Sequence, residues 1–430
     1  MHSRYFPACT LMIIIAVSSC VTQKQVMPDD NPNDTLPPPY ATKQVMNFSH
    51  VTGWKGNRKP QAPEGFTVDM YADKLENPRW MYVTPNGDVL VAESNSNYGL
   101  IKKIGAVIIG AHKSKNLKKS ADRITLLRDS NNDGIPEVRT TFLKNLNQPF
   151  GMLVLGDWFY VANTDAVWRY PYKAGQTNIN EKGEKITDLP AGKHNQHWTR
   201  NIIANEDGSK IYIAVGSGSN VAEHGLKEEF LKASILEINP DGSELKVYAS
   251  GLRNPVGMDW LPGTDELWTV VNERDMLGDE LVPDYLTHVK EGAFYGWPYV
   301  YLGQHDEPRV KEKPPIVENT VVPDLPLLSH TASLGLVFYD SEGFPEKYHG
   351  GAFIAQHGSW NRSTLSGYKV IFVPFDGGKP VQKSEDFLTG FIDNLNKEKV
   401  YGRPVGVTVL PDGNLLVTDD VTGIIWRVSH

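Results

Sequence analysis

Polar side chains stand at both ends of one strand-like hairpin in this chain. Arg253-Asn254 precede the apolar run Val256–Trp260, and Glu273-Arg274-Asp275 follow the second run, Glu266–Val271. A turn that contains Pro and Gly separates the two runs, as in a β-hairpin. In an antiparallel pair, the start of the first strand and the end of the second lie at the same edge. A guanidinium group binds a carboxylate through two parallel hydrogen bonds, so this edge could hold an organic anion.

The same hairpin form recurs along the chain. Each copy has an apolar run, a turn containing Gly, and a second apolar run that ends in polar residues. The copies are Pro78–Ser94, Pro149–Thr164, His197–Asn220, Leu252–Asp275, Ser333–His357 and Arg403–Asp420. Strand repeats of this size are typical of propeller blades, so we predict an all-β fold, a six-bladed β-propeller over residues 64–430. A pair of β-sandwiches or barrels is the alternative. We also expect Gly423–Val428 to pair with Gly65–Tyr71 and close the ring.

If the copies are the inner hairpins of blades, their open ends meet at one mouth of the central channel. Arg and His residues at those ends, with amides around them, predict a pocket for an anionic ligand, with a His as a base near neutral pH. These residues are Arg79, His194, His197, Arg253, Arg274, His330, His357, Arg362 and Arg403. Loop ends are polar in any propeller, which explains the Asn, Asp and Ser residues there but explains several Arg residues less well.

Composition excludes one class of partner. The chain has 43 basic and 51 acidic residues and a formal net charge of −8. A nucleic-acid-binding surface needs a clustered basic face, so we expect no nucleic-acid partner.

The N-terminus resembles a bacterial lipoprotein signal. His2 and Arg4 precede a short apolar run, Leu11–Val17, and Ser18-Ser19-Cys20 follow it. The run is too short to span a bilayer. We therefore predict a signal peptide over residues 1–20, cleavage before Cys20 and lipid on its thiol; an ordinary secretory signal is the alternative. The prediction places the protein in the bacterial cell envelope, facing the periplasm and attached to a membrane through the lipid.

Three further segments have recognisable patterns. Residues 21–63 begin polar and Pro-rich, which predicts a flexible tether and lead-in before the domain. In the stretch from Asp129 to Glu137, Asp129, Asn131 and Asp133 alternate before a Gly, as in the first half of a Ca²⁺ loop, with Glu137 as an extra ligand. A plain turn rich in Asp and Asn fits this stretch equally well. The basic run Lys113–Lys119 fits a solvated loop, or less well a patch for an anionic partner.

Several longer motifs occur in one order along the chain. GLRNPVGMDW, NERDMLGDELVPDYL, EGAFYGWPYVY, HWTRN with VGSGSNV, HGSWNR, and RPVG with PDGNLLVTDD resemble the soluble quinoprotein sugar dehydrogenases, and in particular their sorbosone- and pyranose-dehydrogenase-like branch. The resemblance runs from about Gly65 to Val428. It implies a six-bladed propeller with pyrroloquinoline quinone (PQQ) in the channel mouth and Ca²⁺ holding the cofactor. The implied reaction is oxidation of an aldose, or a related hydroxyl or aldehyde, with electrons passed to an external acceptor.

The resemblance also implies roles for single residues. Arg253 lies on the cofactor and Asn254 assists it, and Arg403 matches the first of two Arg residues in the last-blade motif; the second falls near Val405. Arg362 takes the place of a family Lys in the fifth blade, with Trp360 beside it. Glu273-Arg274-Asp275 match the segment whose backbone carbonyls coordinate Ca²⁺, which puts Glu273 beside the cofactor and Arg274 and Asp275 on the metal. The catalytic base is His197 or His194, and His197 is the one that abuts the predicted strand.

Two other functions fit the same fold. A Ca²⁺-dependent lactonase would hold its metal with Glu, Asn and Asp side chains in the channel, and would hydrolyse its substrate without the quinone. A non-enzymatic propeller would bind protein or glycan with its rim, since a fold does not determine a function.

Overall fold

A computed structural model describes residues 36–97, 100–115, 117–381 and 383–430. In this part of the chain, the main elements are six antiparallel sheets of four strands each. Sheet 1 contains Pro78–Val83, Val89–Glu93, Arg123–Arg128 and Val138–Lys144; sheet 2, Met152–Leu155, Trp158–Ala162, Ala166–Pro171 and Glu184–Asp188; sheet 3, Arg200–Ala204, Ile211–Val215, Ser234–Ile238 and Lys246–Ser250; sheet 4, Pro255–Trp260, Leu267–Val271, Pro283–His288 and Leu325–Ser329; sheet 5, Ser333–Phe338, Ala352–Gln356, Lys369–Val373 and Glu385–Leu388; and sheet 6, Pro404–Val409, Leu415–Asp419, Ile424–Ser429 and Thr67–Ala72. The all-β prediction is confirmed.

The remaining elements are small. Two-stranded pairs join Val300–Tyr301 to His305–Asp306 and Phe375–Asp376 to Lys379–Pro380, and a third small sheet contains His50–Val51, Ile392–Asn394 and Lys399–Val400. One α-helix, Leu100–Ile108, occurs among the described residues, with short 3-10 turns at Ala111–Ser114, Leu226–Glu229, Pro315–Asn319, Glu346–Tyr348 and Leu395–Lys397. Within the described ranges, no helix has both the length and the apolar character that crossing a membrane requires.

The apolar runs become strands that are buried on both faces. Every residue of Val89–Glu93, Ile211–Val215 and Leu267–Val271 is buried, because these second strands lie in sheets that pack between neighbouring sheets. A near-continuous run of Val, Ile and Leu is therefore the expected sequence for such a strand.

The first strands of the six sheets contact one another in order, and the first strand of sheet 6 contacts that of sheet 1. Glycines permit this close approach, since a Cβ on Gly151 would overlap the backbone of Ile202, and one on Gly335 would overlap the carbonyl of Val405. An apolar cluster fills the middle of the ring, with one member at or just before each first strand: Trp80, Phe150, Trp198, Val256, Leu334 and Val405. The arrangement is propeller-like, with a closed floor beneath the edge where the first strands begin.

The predicted pairing of the chain ends is confirmed. Thr67–Ala72 is antiparallel to Ile424–Ser429, with Thr67 opposite Ser429. Sheet 6 therefore takes its outer strand from the beginning of the domain, which joins the two ends of the chain and removes an open edge.

The segment before the domain packs against it. Leu36 contacts the apolar cluster around Leu277 and Leu281, and the backbone of Asn47 donates to the carbonyl of Trp360 at 2.7 Å. The ring of Phe48 stacks on Trp360 with the centroids 5.7 Å apart. Residues 36–63, the end of the predicted tether and lead-in, thus support one side of the mouth. The predicted signal over residues 1–20, the lipidation site Cys20 and residues 21–35 lie outside the described residues.

Candidate active site

A cavity of about 230 Å³ opens where the first strands of sheets 3, 4 and 5 begin. It is lined by Gln196, His197, Arg253, Asn254, Asn272, Glu273, Asp275, Asp284, His330, Ala332 and Trp360. Seven residues singled out in the sequence are therefore brought together by the fold: His197, Arg253, Asn254, Glu273, Asp275, His330 and Trp360.

The imidazole of His197 is held through one nitrogen. Its Nδ1 lies 2.9 Å from both the carbonyl oxygen and the Oγ of Ser217. The carbonyl can only accept, and the Ser217 hydroxyl already donates to the carbonyl of Ser219 at 2.6 Å, so Nδ1 carries the proton. Nε2 then keeps its lone pair, and no hydrogen bond within the described residues involves it. Burial lowers the pKa of His197 to about 3, and the charge of Arg253 acts in the same direction. His197 is therefore a neutral base at neutral pH.

Buried groups behind His197 hold it in place. Arg200 is fully buried, and its Nη1 donates to the carbonyl of His197 at 2.7 Å while its Nη2 donates to that of Pro190 at 2.9 Å. Burial lowers the pKa of Arg200 to about 9. A Cβ on Gly216 would overlap Asn254 and His197, so only glycine fits beneath the imidazole. The HWTR and VGSGS motifs thus position the imidazole of His197.

Arg253 is buried and its donors are occupied by protein groups. Nη1 donates to the carbonyl of Glu273 at 2.6 Å, and Nη2 contacts Asn220 Oδ1 at 2.8 Å and Asp275 Oδ2 at 3.0 Å. Its charge still acts on the cavity that it lines. Its neighbour Asn254 is 6% exposed, and Asn254 Oδ1 has no hydrogen-bond partner within the described chain. A buried acceptor without a partner is costly, which indicates that a ligand donor belongs there.

A second His lines the opposite side of the cavity. His330 Nε2 donates to the carbonyl of Gly278 at 2.9 Å, and Nδ1 lies 3.5 Å from Asp275 Oδ1. Burial opposes the charged imidazole, but the hydrogen bond and charge of Asp275 outweigh it and raise the pKa of His330. Burial raises the pKa of Asp284 to about 6, although its oxygens accept from the backbone of Glu273 and Ser333. The cavity therefore combines a neutral imidazole, that of His197, with an imidazole whose pKa is raised, that of His330.

Another cationic cluster lies at the same edge, between sheets 5, 6 and 1. Asp420 contacts Arg79 Nη1 at 2.6 Å and His357 Nε2 at 3.0 Å, and Arg403 donates to the carbonyls of His357 and Gly358. Burial lowers the pKa of His357 to about 4, helped by Arg403. Burial alone would raise the pKa of Asp420, but His357 and Arg79 lower it well below its ordinary value. Arg79 Nε is buried and lacks a hydrogen-bond partner in the described structure.

Some predicted residues lie away from the cavity. His194 stacks on His224 with the ring centroids 3.8 Å apart, outside the lining. Arg362 pairs with Glu280 and donates to the carbonyl of Asp279, and Arg403 belongs to the second cluster. Val405 is fully buried in the apolar floor, where a guanidinium would have no water and no partner.

In the Glu273–Asp275 segment, two of the three backbone carbonyls predicted beside Ca²⁺ already accept hydrogen bonds from cationic side chains. The carbonyl of Glu273 accepts from Arg253, and that of Asp275 accepts from Arg309 Nη1 at 2.8 Å and from Asn220. A cation at these oxygens would stand beside two guanidinium charges. The side chain of Arg274 points into the protein, where it is fully buried and contacts Glu273 at 2.9 Å and Glu307 at 3.7 Å.

Sequence reasoning assigned no individual role to His330, Asp284 or Arg79. Asp284 is the one acidic residue of the strand Pro283–His288, whose first five residues are buried, and an acid in a buried strand is a signal that can be read from sequence. His330 and Arg79 lie near the starts of strands, like the residues to which roles were assigned. The neighbouring sequence does not show which carboxylate each side chain contacts.

The Asp129–Glu137 stretch forms a loop that is distant in sequence from the residues that line the cavity. Carboxylate oxygens of Asp129, Asp133 and Glu137 lie within 4.8 Å of one another. Asn131 is used within the loop, since its Oδ1 accepts from the backbone of Asp133 at 2.9 Å and its Nδ2 donates to that carboxylate. The carboxylates also accept backbone hydrogen bonds within the loop, Asp129 from Gly134 and Glu137 from Ser130, both at 2.7 Å, so a cation would share these oxygens with the turn.

We expect the pKa values of the two cavity imidazoles to differ from that of an ordinary His in opposite directions, lower for His197 and higher for His330. His197 should show no protonation as the pH falls from 8 to 5, and His330 should titrate at a higher pH than an ordinary His. Because the unfolded chain takes up a proton near pH 6.5 and folded His197 only near pH 3, the stability that His197 contributes above pH 6.5 is lost as the pH falls. Nitrogen chemical shifts of ¹⁵N-His protein, assigned with His197→Gln and His330→Gln, measure this. Titration of His197 near pH 6.5 would contradict its burial as a neutral imidazole.

The fold and the cavity place the chain among propeller-like proteins with a polar site at one channel mouth. The family model described as "Domain of unknown function (DUF7133)" matches residues 57–427, so the chain belongs to this family. An uncharacterized protein of Borreliella burgdorferi is 32% identical over 302 residues, which cover 67% of this chain and 78% of that protein. Aldose sugar dehydrogenase YliI of Escherichia coli is 31% identical over 198 residues, 45% of this chain and 46% of that enzyme.

Solved structures share the fold. The PQQ domain of the Coprinopsis cinerea pyranose dehydrogenase, in its holo form, matches with a TM-score of 0.67 and 20% identity over 89% of this chain and 100% of that domain. The apo soluble aldose sugar dehydrogenase of Escherichia coli matches with a TM-score of 0.57 and 17% identity over 85% of this chain and 99% of that one. Several solved neighbours of this fold are thus named as sugar dehydrogenases.

Proposed function

We propose that this protein is a quinoprotein oxidoreductase that oxidises a sugar with PQQ. The observation that carries the proposal is His197, a neutral imidazole with a free Nε2 in a cavity between Arg253, Asn254 and Trp360. A base in that state is what oxidation of a hydroxyl requires. The named relatives and fold neighbours support the same reaction class.

The residues at the mouth fit the cofactor. PQQ is a planar tricarboxylate, and Asn254 Oδ1 and Arg79 Nε are buried polar atoms without partners that a polar ligand could satisfy. The charges of Arg253, Arg79 and Arg403 would offset its carboxylates, and the ring of Trp360 offers an apolar wall. When bound, the quinone would supply an acceptor for hydride.

His197 would accept the substrate hydroxyl proton at Nε2, while Ser217 retains the proton on Nδ1. The charge of Arg253 disfavours a lasting imidazolium, so the proton would pass on to water rather than remain. The apolar floor, with Trp198 and Val405, keeps water out of the channel below the reacting groups. Because the carbonyls of Glu273 and Asp275 already bind guanidinium groups, we assign no step to Ca²⁺.

The proposal extends to the number of blades, the substrate, the electron acceptor and the location of the protein. We count the six four-stranded sheets as the six blades of one propeller, and we take the substrate to be an aldose or a sorbosone-like aldehyde. Electrons would leave to an external acceptor. Lipid on Cys20 would hold the protein on a bacterial membrane, facing the periplasm.

Titration of the apo protein with PQQ tests the function. We expect a saturable quinone spectrum that sugars bleach, with or without added Ca²⁺. Hydrolysis of lactones in quinone-free protein would support a lactonase instead. If neither signal is observed, a non-enzymatic binding propeller is the remaining function. A requirement for Ca²⁺ in quinone binding would contradict our assignment of the Glu273–Asp275 carbonyls.

The Asp129–Glu137 loop is proposed as a separate Ca²⁺ site. At a Ca²⁺ concentration of 100 times the dissociation constant, we expect the free energy of unfolding to rise by about 2.7 kcal/mol. Asp133→Asn should abolish the effect, whereas Asp241→Asn, in another exposed turn, should not. Equal thermal midpoints with Ca²⁺ and with chelator in the parent protein would show that the loop is a plain turn.

A further inference from the structure

One surface of the molecule combines exposed apolar side chains with unpaired lysines. In the helix Leu100–Ile108, the side chains of Ile104, Val107 and Ile108 are 55%, 53% and 79% exposed, and Ile109 just beyond it is 48% exposed. Positions 104, 107 and 108 have the spacing of one helix face. Such a stripe normally faces a core, but here it faces solvent. Scattered exposed apolar residues need no explanation, whereas a contiguous apolar stripe does.

The charge of the same segment is one-sided. Residues 100–119 contain no Asp or Glu and hold Lys102, Lys103, Lys113, Lys115, Lys118 and Lys119, in a chain whose net charge is −8. Lys113, Lys115, Lys118 and Lys119 are exposed, and in the part of the chain that the structure describes none of them pairs with a carboxylate. These four lysines follow the helix, in the 3-10 turn Ala111–Ser114 and the chain after it. An exposed apolar helix face next to a basic run is the composition of a segment that lies in a membrane interface.

The segment is attached to the face that carries the cavity. It connects the second strand of sheet 1, Val89–Glu93, to the third, and second strands end at the mouth edge. Ser114 is buried and its hydroxyl donates to the carbonyl of Ser49 at 2.9 Å, which ties the segment to the N-terminal lead-in. Leu226 and Phe230, 56% and 73% exposed, lie in the corresponding connection of sheet 3.

We propose that the Leu100–Lys119 segment is a docking surface for an anionic lipid bilayer. The Ile and Val side chains enter the interface and the lysines contact lipid phosphates, so the mouth of the cavity faces the membrane. The exposed apolar stripe favours lipid over an acidic protein, whose surface would leave these side chains in water. The proposal needs neither the cofactor nor the lipid on Cys20, so it can fail or hold independently of the dehydrogenase function.

Co-sedimentation with vesicles tests the proposal. The full chain carrying Cys20→Ser is mixed with phosphatidylcholine vesicles that contain either no anionic lipid or about 30% phosphatidylglycerol. We expect binding to the anionic vesicles only. Lys118→Glu with Lys119→Glu should weaken it by about fivefold for each charge lost, and Ile108→Asp by about tenfold. Lys173→Glu and Val322→Ser, exposed residues elsewhere, are the matched controls and should bind like the parent.

The alternatives give different results. Equal binding of the parent and both segment variants would mean that the contact lies elsewhere, the apolar run Leu11–Val17 included, and would overturn the proposal. A parent that sediments as a dimer without vesicles and becomes a monomer with Ile108→Asp would identify a second copy as the occupant. Unchanged thermal midpoints in all variants exclude unfolding as the cause of lost binding.

Discussion

Replacing His197 by alanine is expected to lower turnover by about 10²–10⁴-fold while quinone binding persists. The reason is that His197 Nε2 is the free lone pair beside Arg253, whereas its Nδ1 is held by Ser217. Loss of the imidazole removes the proton acceptor but leaves Arg253, Asn254 and Trp360, which would hold the cofactor. Steady-state rates with a soluble acceptor, measured on protein titrated to saturation with quinone, give the change directly.

His194→Ala is the matched control for His197→Ala. His194 is three residues earlier in the same loop, but its ring stacks on His224 and does not line the cavity. We expect its removal to leave turnover within a factor of a few. Normal turnover in His197→Ala together with a large loss in His194→Ala would transfer the role of base to His194. A loss of quinone affinity in His197→Ala would show that the imidazole binds the cofactor instead.

Arg274→Met is expected to lower the free energy of unfolding by about 3–5 kcal/mol. Arg274 is fully buried, and its Nε contacts Glu273 Oε2 at 2.9 Å while its Nη2 donates to the carbonyl of Val300 at 2.9 Å. Methionine matches much of the volume but leaves the carboxylates of Glu273 and Glu307 buried without this partner. Denaturant unfolding of parent and variant at neutral pH measures the difference.

Two further variants separate charge from packing in this prediction. Arg309→Met removes the other guanidinium on Glu307, but its side chain is 24% exposed, so water can replace it and the loss should be smaller. Adding Glu273→Gln to Arg274→Met should recover part of the stability, because it removes one unpaired buried charge. An unchanged free energy of unfolding in Arg274→Met would contradict the account of this buried pair.

The strands and their order could be predicted because the signals are local. A second strand such as Ile211–Val215 is apolar at every position, and the turn that precedes it contains Gly208 with φ +68°. The closing pair, Thr67–Ala72 with Ile424–Ser429, followed from an unpaired strand at each end. His197, Arg253 and Asn254 could be placed at one edge because strand direction alone decides which ends meet.

The tertiary structure alone decided what each charged side chain does. Arg253, Arg403 and Arg362 look alike in sequence as anion-binding residues, yet they have different partners. Arg253 donates to the carbonyl of Glu273 and to the carboxylate of Asp275. Arg403 donates to the carbonyls of His357 and Gly358, and Arg362 pairs with Glu280. The sequence by itself determined the strands, their turns and the edge where polar ends collect, since these depend on neighbouring residues. The neutral state of His197 and the raised pKa of His330 depend on burial and on partners distant in sequence, which only the packed chain supplies.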